Sequence, residues 1–119
     1  MTAADVMLRD PKTLPGGATV DEVRAVLANP KVQMVLLADD RRFRGAITAI
    51  PDGAVGDEPA VAYADSSPET IAPTETAEFA FERATATPHR RVIVLGDDDQ
   101  LLGLLCLNVS RTNFCQTSN

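Results

Sequence analysis

The sequence predicts an α/β (α+β) fold of two β-α-β-β-type repeats packed with pseudo-twofold symmetry. Three observations predict it. Two stretches of the chain are alike at a spacing of 57 to 58 residues. Each holds one helix that starts at a Thr and stops before a Pro. Each then ends in two short apolar strands around an acidic turn and a glycine.

The repeat comes first, because a missed repeat misreads a whole fold. DPKTLPGGATVDEVRAVLA (10–28) lies over SPETIAPTETAEFAFERAT (67–85), which pairs Pro11 with Pro68, Thr13 with Thr70, Leu14 with Ile71 and Thr19 with Thr76. VLLADDRRFRGAIT (35–48) lies over IVLGDDDQLLGLLC (93–106), with Gly45 on Gly103. The step is 57 in the first block and 58 in the second, which puts one missing residue between helix and strand of the first copy. Two copies of this size indicate a pseudo-twofold pair and not a solenoid.

Within each copy a short extended segment leads, Lys12–Leu14 or Glu69–Ile71. A Thr cap then opens a helix. Thr19 has Glu22 three residues on, a capping box, whereas Thr76 has Phe79 there and keeps only the cap. Val20, Val23, Val26 and Leu27 make one apolar helix face; Ala77, Ala80, Phe81 and Ala84 make the other. Asn29-Pro30 and Thr87-Pro88 stop the helices, because a residue before proline avoids the helical region. Met34–Ala38 and Val92–Leu95 are short, apolar and rich in β-formers. After an acidic turn, Asp39–Arg42 or Gly96–Asp99, a second strand of a hairpin covers Gly45–Ile50 or Gly103–Leu107.

With 119 residues the chain fits one compact domain that needs no metal or disulfide staple. We divide it into a first repeat (1–54), a linker rich in Pro, Gly and acids (55–62), a second repeat (63–115) and a flexible polar tail (116–119). Aromatic residues are 4% and Trp is absent, so the core must be aliphatic. A net charge of −6 argues against nucleic acid and anionic membranes as partners. It leaves room for one phosphorylated ligand held by a local Arg or a helix N-terminus. No apolar run reaches the ~18 residues of a membrane span, and MTAADVMLRD lacks the basic start and apolar stretch of a signal peptide. The expected location is cytoplasmic. Cys106 and Cys115 are too few for a disulfide framework. Cys106 reads as a buried strand residue and Cys115 as an exposed thiol.

The order of these marks resembles a tandem pair of CBS domains (cystathionine β-synthase domains), the Bateman module. AADVM precedes a short strand with Thr13-Leu14. Thr19-Val20-Asp21-Glu22-Val23 opens the helix, and an apolar strand runs into an acidic turn. Gly45-Ala46-Ile47-Thr48 and Gly103-Leu104-Leu105-Cys106 then follow. The likeness covers about Ala3 to Phe114. It implies two repeats packed through their sheets, clefts between them that hold AMP, ADP, ATP or S-adenosylmethionine, and a homodimer that regulates a protein partner.

The resemblance also implies where a ligand would be held. Family contacts centre on a Thr or Ser after the glycine, with an Asp three residues on. A hydroxyl can bond a phosphate oxygen, and a carboxylate can accept both hydroxyls of a ribose. Thr48 fits in the first copy, but Pro51 holds the Asp position and Asp52 comes one residue late. In the second copy Cys106 replaces the Thr and Val109 the Asp. Thr13, Leu14 and Pro15, with Thr70 and Ile71, would meet the base. Arg90 and Arg91, beside His89, form a compact basic cluster that could grip phosphate. Arg41, Arg42 and Arg44, at a turn tip, are weaker candidates.

No catalytic constellation is recognisable. There is no nucleophile elbow or phosphate loop, the Cys/His set lacks metal spacing, and Asp97–Asp99 lack the rest of a calcium loop. The chain is expected to sense or bind and not to catalyse, with no cofactor required. The alternative is a protein–protein interaction or dimerisation module of the same fold that has lost its ligand.

Overall fold

A computed structural model describes residues 1–9, 11–65, 67–108 and 110–115. Each repeat forms a three-stranded sheet. In the first, β1 (Thr13–Leu14) runs parallel to β2 (Val35–Asp39), which pairs antiparallel with β3 (Arg42–Ile47). In the second, β4 (Thr70–Ile71), β5 (Arg91–Leu95) and β6 (Leu101–Cys106) repeat that order. The parallel crossovers are α2 (Val20–Leu27) and α3 (Ala77–Thr85). The Thr caps form as the sequence predicts. Thr19 Oγ1 accepts from the Glu22 amide while the Glu22 carboxylate accepts from the Thr19 amide, and Thr76 Oγ1 accepts from the Phe79 amide.

Strand alternation divides the core into three layers. Val35, Leu37 and Ile47 face α2, packed with Val23, Val26 and Leu27. Val92, Val94, Leu105 and Leu107 face α3, packed with Ala80, Phe81 and Ala84. Between the sheets lie Met34, Leu36, Ala46, Ile93, Leu101 and Leu104. The two hairpin tips also dock on each other. The Leu101 amide donates to the Arg41 carbonyl, and Arg42 bridges Gln100.

The strand registers move the slip between copies. Thr13 is opposite Leu36 and Thr70 opposite Ile93, so the 57-residue step persists through β2 and β5. It becomes 58 only past the hairpin turn, where Leu37 is opposite Gly45 but Val94 is opposite Gly103. The extra residue therefore lies in the second hairpin, not between helix and strand. The first hairpin closes on two residues, Asp40 and Arg41, both at positive φ, which matches strand twist. The second uses a looser turn through Asp97–Asp99. β3 and β6 also begin earlier and end earlier than the sequence suggests, because pairing continues to the turn and stops one residue short of Thr48 and at Cys106.

Residues 55–62, read from sequence as a linker, are tied to the first repeat. The Val20 amide donates to the Glu58 carbonyl, the Ala60 amide to Ala18 and the Asp65 amide to Ala46. Ala60 is fully buried. The chain's first residues do the same on the second repeat, with α1 (Ala3–Val6) on α3. The Ala77 amide donates to Met1, the Ala3 amide to Glu75 and the Leu8 amide to Leu104. Each repeat is thus completed by the segment that precedes the other. The paired glycines make room for these arms. A Cβ on Gly103 would sit 2.6 Å from the Leu8 carbonyl oxygen, and one on Gly45 would sit 3.0 Å from the Ala64 Cβ.

Candidate functional site

At the edge of β1 the two sheets part. A cleft of about 220 Å³ opens there, lined by Arg9, Pro11 and Thr13 on the incoming strand, Ala38 and Arg41 on the first hairpin, and Leu101 and Leu102 on β6. Thr13 is exposed, as are both arginines. Neither arginine makes an ion pair with a described acid, whereas Arg44 sits 3.4 Å from Asp39. The cleft therefore presents two guanidinium groups and one hydroxyl against an aliphatic wall. That set can hold an anion and an apolar or planar group side by side. Two residues are decisive here. Arg9 carried no sequence signal. Arg41 was discounted as a turn tip, and only the docking of one tip on the other brings it to a cleft.

The counterpart edge, at β4, is different. Thr70 and Ile71 line a more open groove of about 460 Å³ with Ala72, Glu75, Phe79 and Arg83. Arg83 is already engaged by the Glu69 carboxylate and the Thr70 carbonyl, and its guanidinium lies 5.7 Å from the Phe79 ring centre. Little cationic capacity remains there. Ile71 is core, and Leu14 packs against the first repeat's core, while Pro15 is exposed.

The other ends of the sheets hold the remaining candidates. Thr48 follows β3 and is half-buried, and Asp52 lies exposed in the next turn. Arg24 pins that turn by donating to the carbonyls of Pro51, Asp52 and Ala54. The Asp52 carboxylate itself makes no described hydrogen bond. Counting along the registers, Arg91 occupies the place of Met34, and Cys106 the place of Thr48. Arg91 and Cys106 are register partners, so their side chains leave the same face of the sheet.

Arg91 is 5% exposed. Its backbone amide donates to the buried Thr87 hydroxyl, and its guanidinium to the His89 carbonyl. Its Nε has no partner. Burial first, and the like charge of Arg90 second, depress its pKa to about 10. Arg90 turns away at positive φ and donates to the Leu107 carbonyl. The basic cluster thus splits: one arginine is buried and short of partners, the other caps a strand end.

Cys106 is a buried strand residue, as the sequence suggested, but Cys115 differs from the expectation. Cys115 is not an exposed free thiol; it is joined to Cys106 by a disulfide, with Cα atoms 5.3 Å apart. The geometry follows from the chain's return alongside β6. Leu107 bridges Phe114, the Cys115 amide donates to the Cys106 carbonyl, and the Phe114 ring meets Phe81 edge-on at 5.6 Å. A spacing of nine residues in sequence gave no hint of this return. Val109 and residues 116–119, named above as the missing Asp position and the tail, lie outside the described residues. Among the described residues no acid, His and Cys group could hold a metal, and no helix is long and apolar enough to cross a membrane.

Comparison with known proteins agrees with this architecture. The CBS domain family model matches residues 3–50, the first repeat with its leading arm. No curated relative matches at a significant level. Among solved structures, a CBS domain protein from Pyrobaculum aerophilum complexed with AMP is 25% identical, with a TM-score of 0.73 over 98% of this chain and 93% of that one. A CBS-pair protein from Arabidopsis thaliana gives 19% identity and a TM-score of 0.71 over 88% and 87%. A CBS domain pair/ACT domain protein from Thermotoga maritima gives 14% and 0.74 over 87% and 88%. The internal duplication, the two stacked sheets with their exchanged arms and these likenesses show the fold of a tandem CBS pair, with a CBS domain match over the first repeat.

Proposed function

We propose that the chain is a regulatory CBS pair that binds an adenosine-type ligand (AMP, ADP, ATP or S-adenosylmethionine) in the cleft at the edge of β1. The observation that carries this reading is the cleft's pairing of two arginines, neither in an ion pair with a described acid, with a hydroxyl and an aliphatic wall: Arg9, Arg41, Thr13, Leu101 and Leu102. In a chain of net charge −6, two arginines brought side by side at one cleft form a local concentration of positive charge. Phosphate or a carboxylate would take charge-assisted bonds from them. The cleft is smaller than the ~300 Å³ of a pocket that encloses a whole ligand, so the rest of the ligand lies along the open edge. The Pyrobaculum protein's complex with AMP adds support. Binding shifts the two repeats against each other and so signals to a partner, in proportion to the difference in affinity between the two arrangements.

A thermal-shift titration with the four ligands tests the reading. At 100 times its dissociation constant a ligand adds about 2.7 kcal/mol of stability. Arg41→Ala and Thr13→Val should each weaken the shift at least several-fold. No shift with any of the four, or a shift untouched by both substitutions, overturns the assignment of this cleft. The second reading, an interaction module without a ligand, draws on the second repeat, where Arg83 in the groove at the β4 edge is already engaged by Glu69 and where Cys106, at the position of Thr48, is tied up in the disulfide. On that reading all four ligands leave the melting temperature unchanged. In either case we propose a cytoplasmic homodimer that acts on a protein partner. Exposed Phe79 and Val61, 39% and 43% accessible, are the apolar side chains such contacts would cover.

A further inference from the structure

The disulfide occupies the strand-end position whose counterpart in the first repeat is Thr48. It is the one covalent tie between β6 and the returning segment. The other ties of that segment are noncovalent, among them the Cys115 amide to the Cys106 carbonyl and Asn108 to Thr112 and Asn113. Arg111 donates to the carbonyls of Thr85 and Thr87 at the end of α3, Phe114 leans on Phe81, and Leu107 bridges Phe114. Beneath the bonded pair lies Arg91, opposite Cys106, buried and with its Nε unpaired. In the first repeat the chain after β3 is held without any covalent tie. Arg24 donates to the carbonyls of Pro51, Asp52 and Ala54, and backbone bonds fix residues 56–65 beyond them.

We propose that Cys106–Cys115 is a thiol–disulfide exchange site, taken by a dithiol reductant, that latches the returning segment over the end of the second sheet. Cys106 is 2% exposed whereas the Cys115 residue is partly exposed, so the attack of the reductant's thiolate is placed on the Cys115 sulfur. The Cys106–Cys115 bond breaks, a mixed disulfide forms at Cys115, and the Cys106 thiolate leaves and takes up a proton. The reductant's second thiolate then displaces Cys115 as a thiol. Two electrons and two protons pass to the protein, and the reductant becomes its disulfide. With the tie gone, the segment carrying Phe114 and Cys115 lifts from β6, and the Arg91 side of the strand end opens. A disulfide in a reducing compartment is characteristically transient and redox-responsive, which reconciles this bond with a cytoplasmic protein. The inference does not rest on the nucleotide reading, because the cleft at β1 adjoins the opposite end of β6.

The experiment follows amide exchange by mass spectrometry on the full chain, air-oxidised and after dithiothreitol, with Cys115→Ser as the second form. Alkylation under denaturing conditions should find no free thiol in the oxidised chain and two after reduction. Exchange at the Cys115 amide should rise at least tenfold on reduction and in Cys115→Ser, while Leu36 and Leu37 in β2 keep their protection. Free thiols in the oxidised chain overturn the proposal. So does unchanged exchange at Cys115, and so does an equal loss of protection in both sheets, which would make the bond a global staple. If Cys115→Ser does not fold, the wild-type comparison alone decides. AMP titration of both redox forms separates the two ideas: loss of binding in both forms removes the nucleotide reading and leaves the latch standing.

Discussion

The two repeats share a skeleton and differ at the ends of their sheets. At the first end Met34 fills the space between the sheets and Thr48 leads into a turn pinned by Arg24. At the second, Arg91 fills the space of Met34 with a cation short of partners, and Cys106 is tied to a returning segment. Caps, paired glycines and strand registers keep their pairing, because each serves the fold. The positions open to a ligand or to solvent do not. Duplication fixed a scaffold here, and the chemistry of its two halves then diverged.

The paired glycines should show the largest effect. A side chain at Gly103 collides with the backbone of the arm at Leu8, which cannot withdraw without losing its pairing to Leu104. Gly103→Ala is expected to cost about 3 kcal/mol, read as a shift in the urea midpoint. Gly45→Ala meets only the Ala64 methyl and should cost about 1 kcal/mol or less. Equal costs would break the claim that the arms are held differently.

Exchanging the residues between the sheets comes next. Met34→Arg should destabilise by about 2–4 kcal/mol, since it buries an uncompensated charge, whereas Arg91→Met should stabilise by about 1–2 kcal/mol. The pH dependence sharpens this. Burial holds the folded pKa of Arg91 at about 10, well below that of an unburied arginine. Above pH 10 the unfolded chain binds more protons than the folded one, so the penalty is full below pH 10 and fades as pH rises past it. The advantage of Arg91→Met, measured by urea unfolding, should therefore be larger at pH 9 than at pH 11. No difference would mean that Arg91 is compensated.

The caps should give the smallest effects. Thr19→Ala and Thr76→Ala should each cost about 1 kcal/mol. Glu22→Ala should cost a few tenths more in the first repeat, through its reciprocal bond to Thr19. A larger loss at Thr76 than at Thr19 would reverse the expected order.

Local rules made much of the fold readable. Thr19, Thr76, Pro30 and Pro88 bound the helices, and the short apolar runs rich in β-formers at Met34–Ala38 and Val92–Leu95 gave β2 and β5. The repeat, at its 58-residue step, located the paired glycines, but not their purpose, which lies in arms that arrive from the other repeat. The hairpin insertion was misplaced because the two acidic turns align well by eye, while only register shows which strand residue faces which. The site was less legible. Thr13 was named for its place in a motif, but Arg9 and Arg41 reach the cleft through tertiary docking, which leaves no periodic trace. The Cys106–Cys115 bond depends on a chain reversal through residues whose composition suggested only a loop.

The exchanged arms carry a topological consequence. Because residues 1–8 finish the second repeat and residues 56–65 finish the first, neither half can close its own surface. A chain of one repeat would have to lend its arm to a twin and borrow one in return. The present protein reads as that reciprocal loan made permanent by joining the two lenders end to end. A break in the turn at residues 51–54 should leave the halves interlocked.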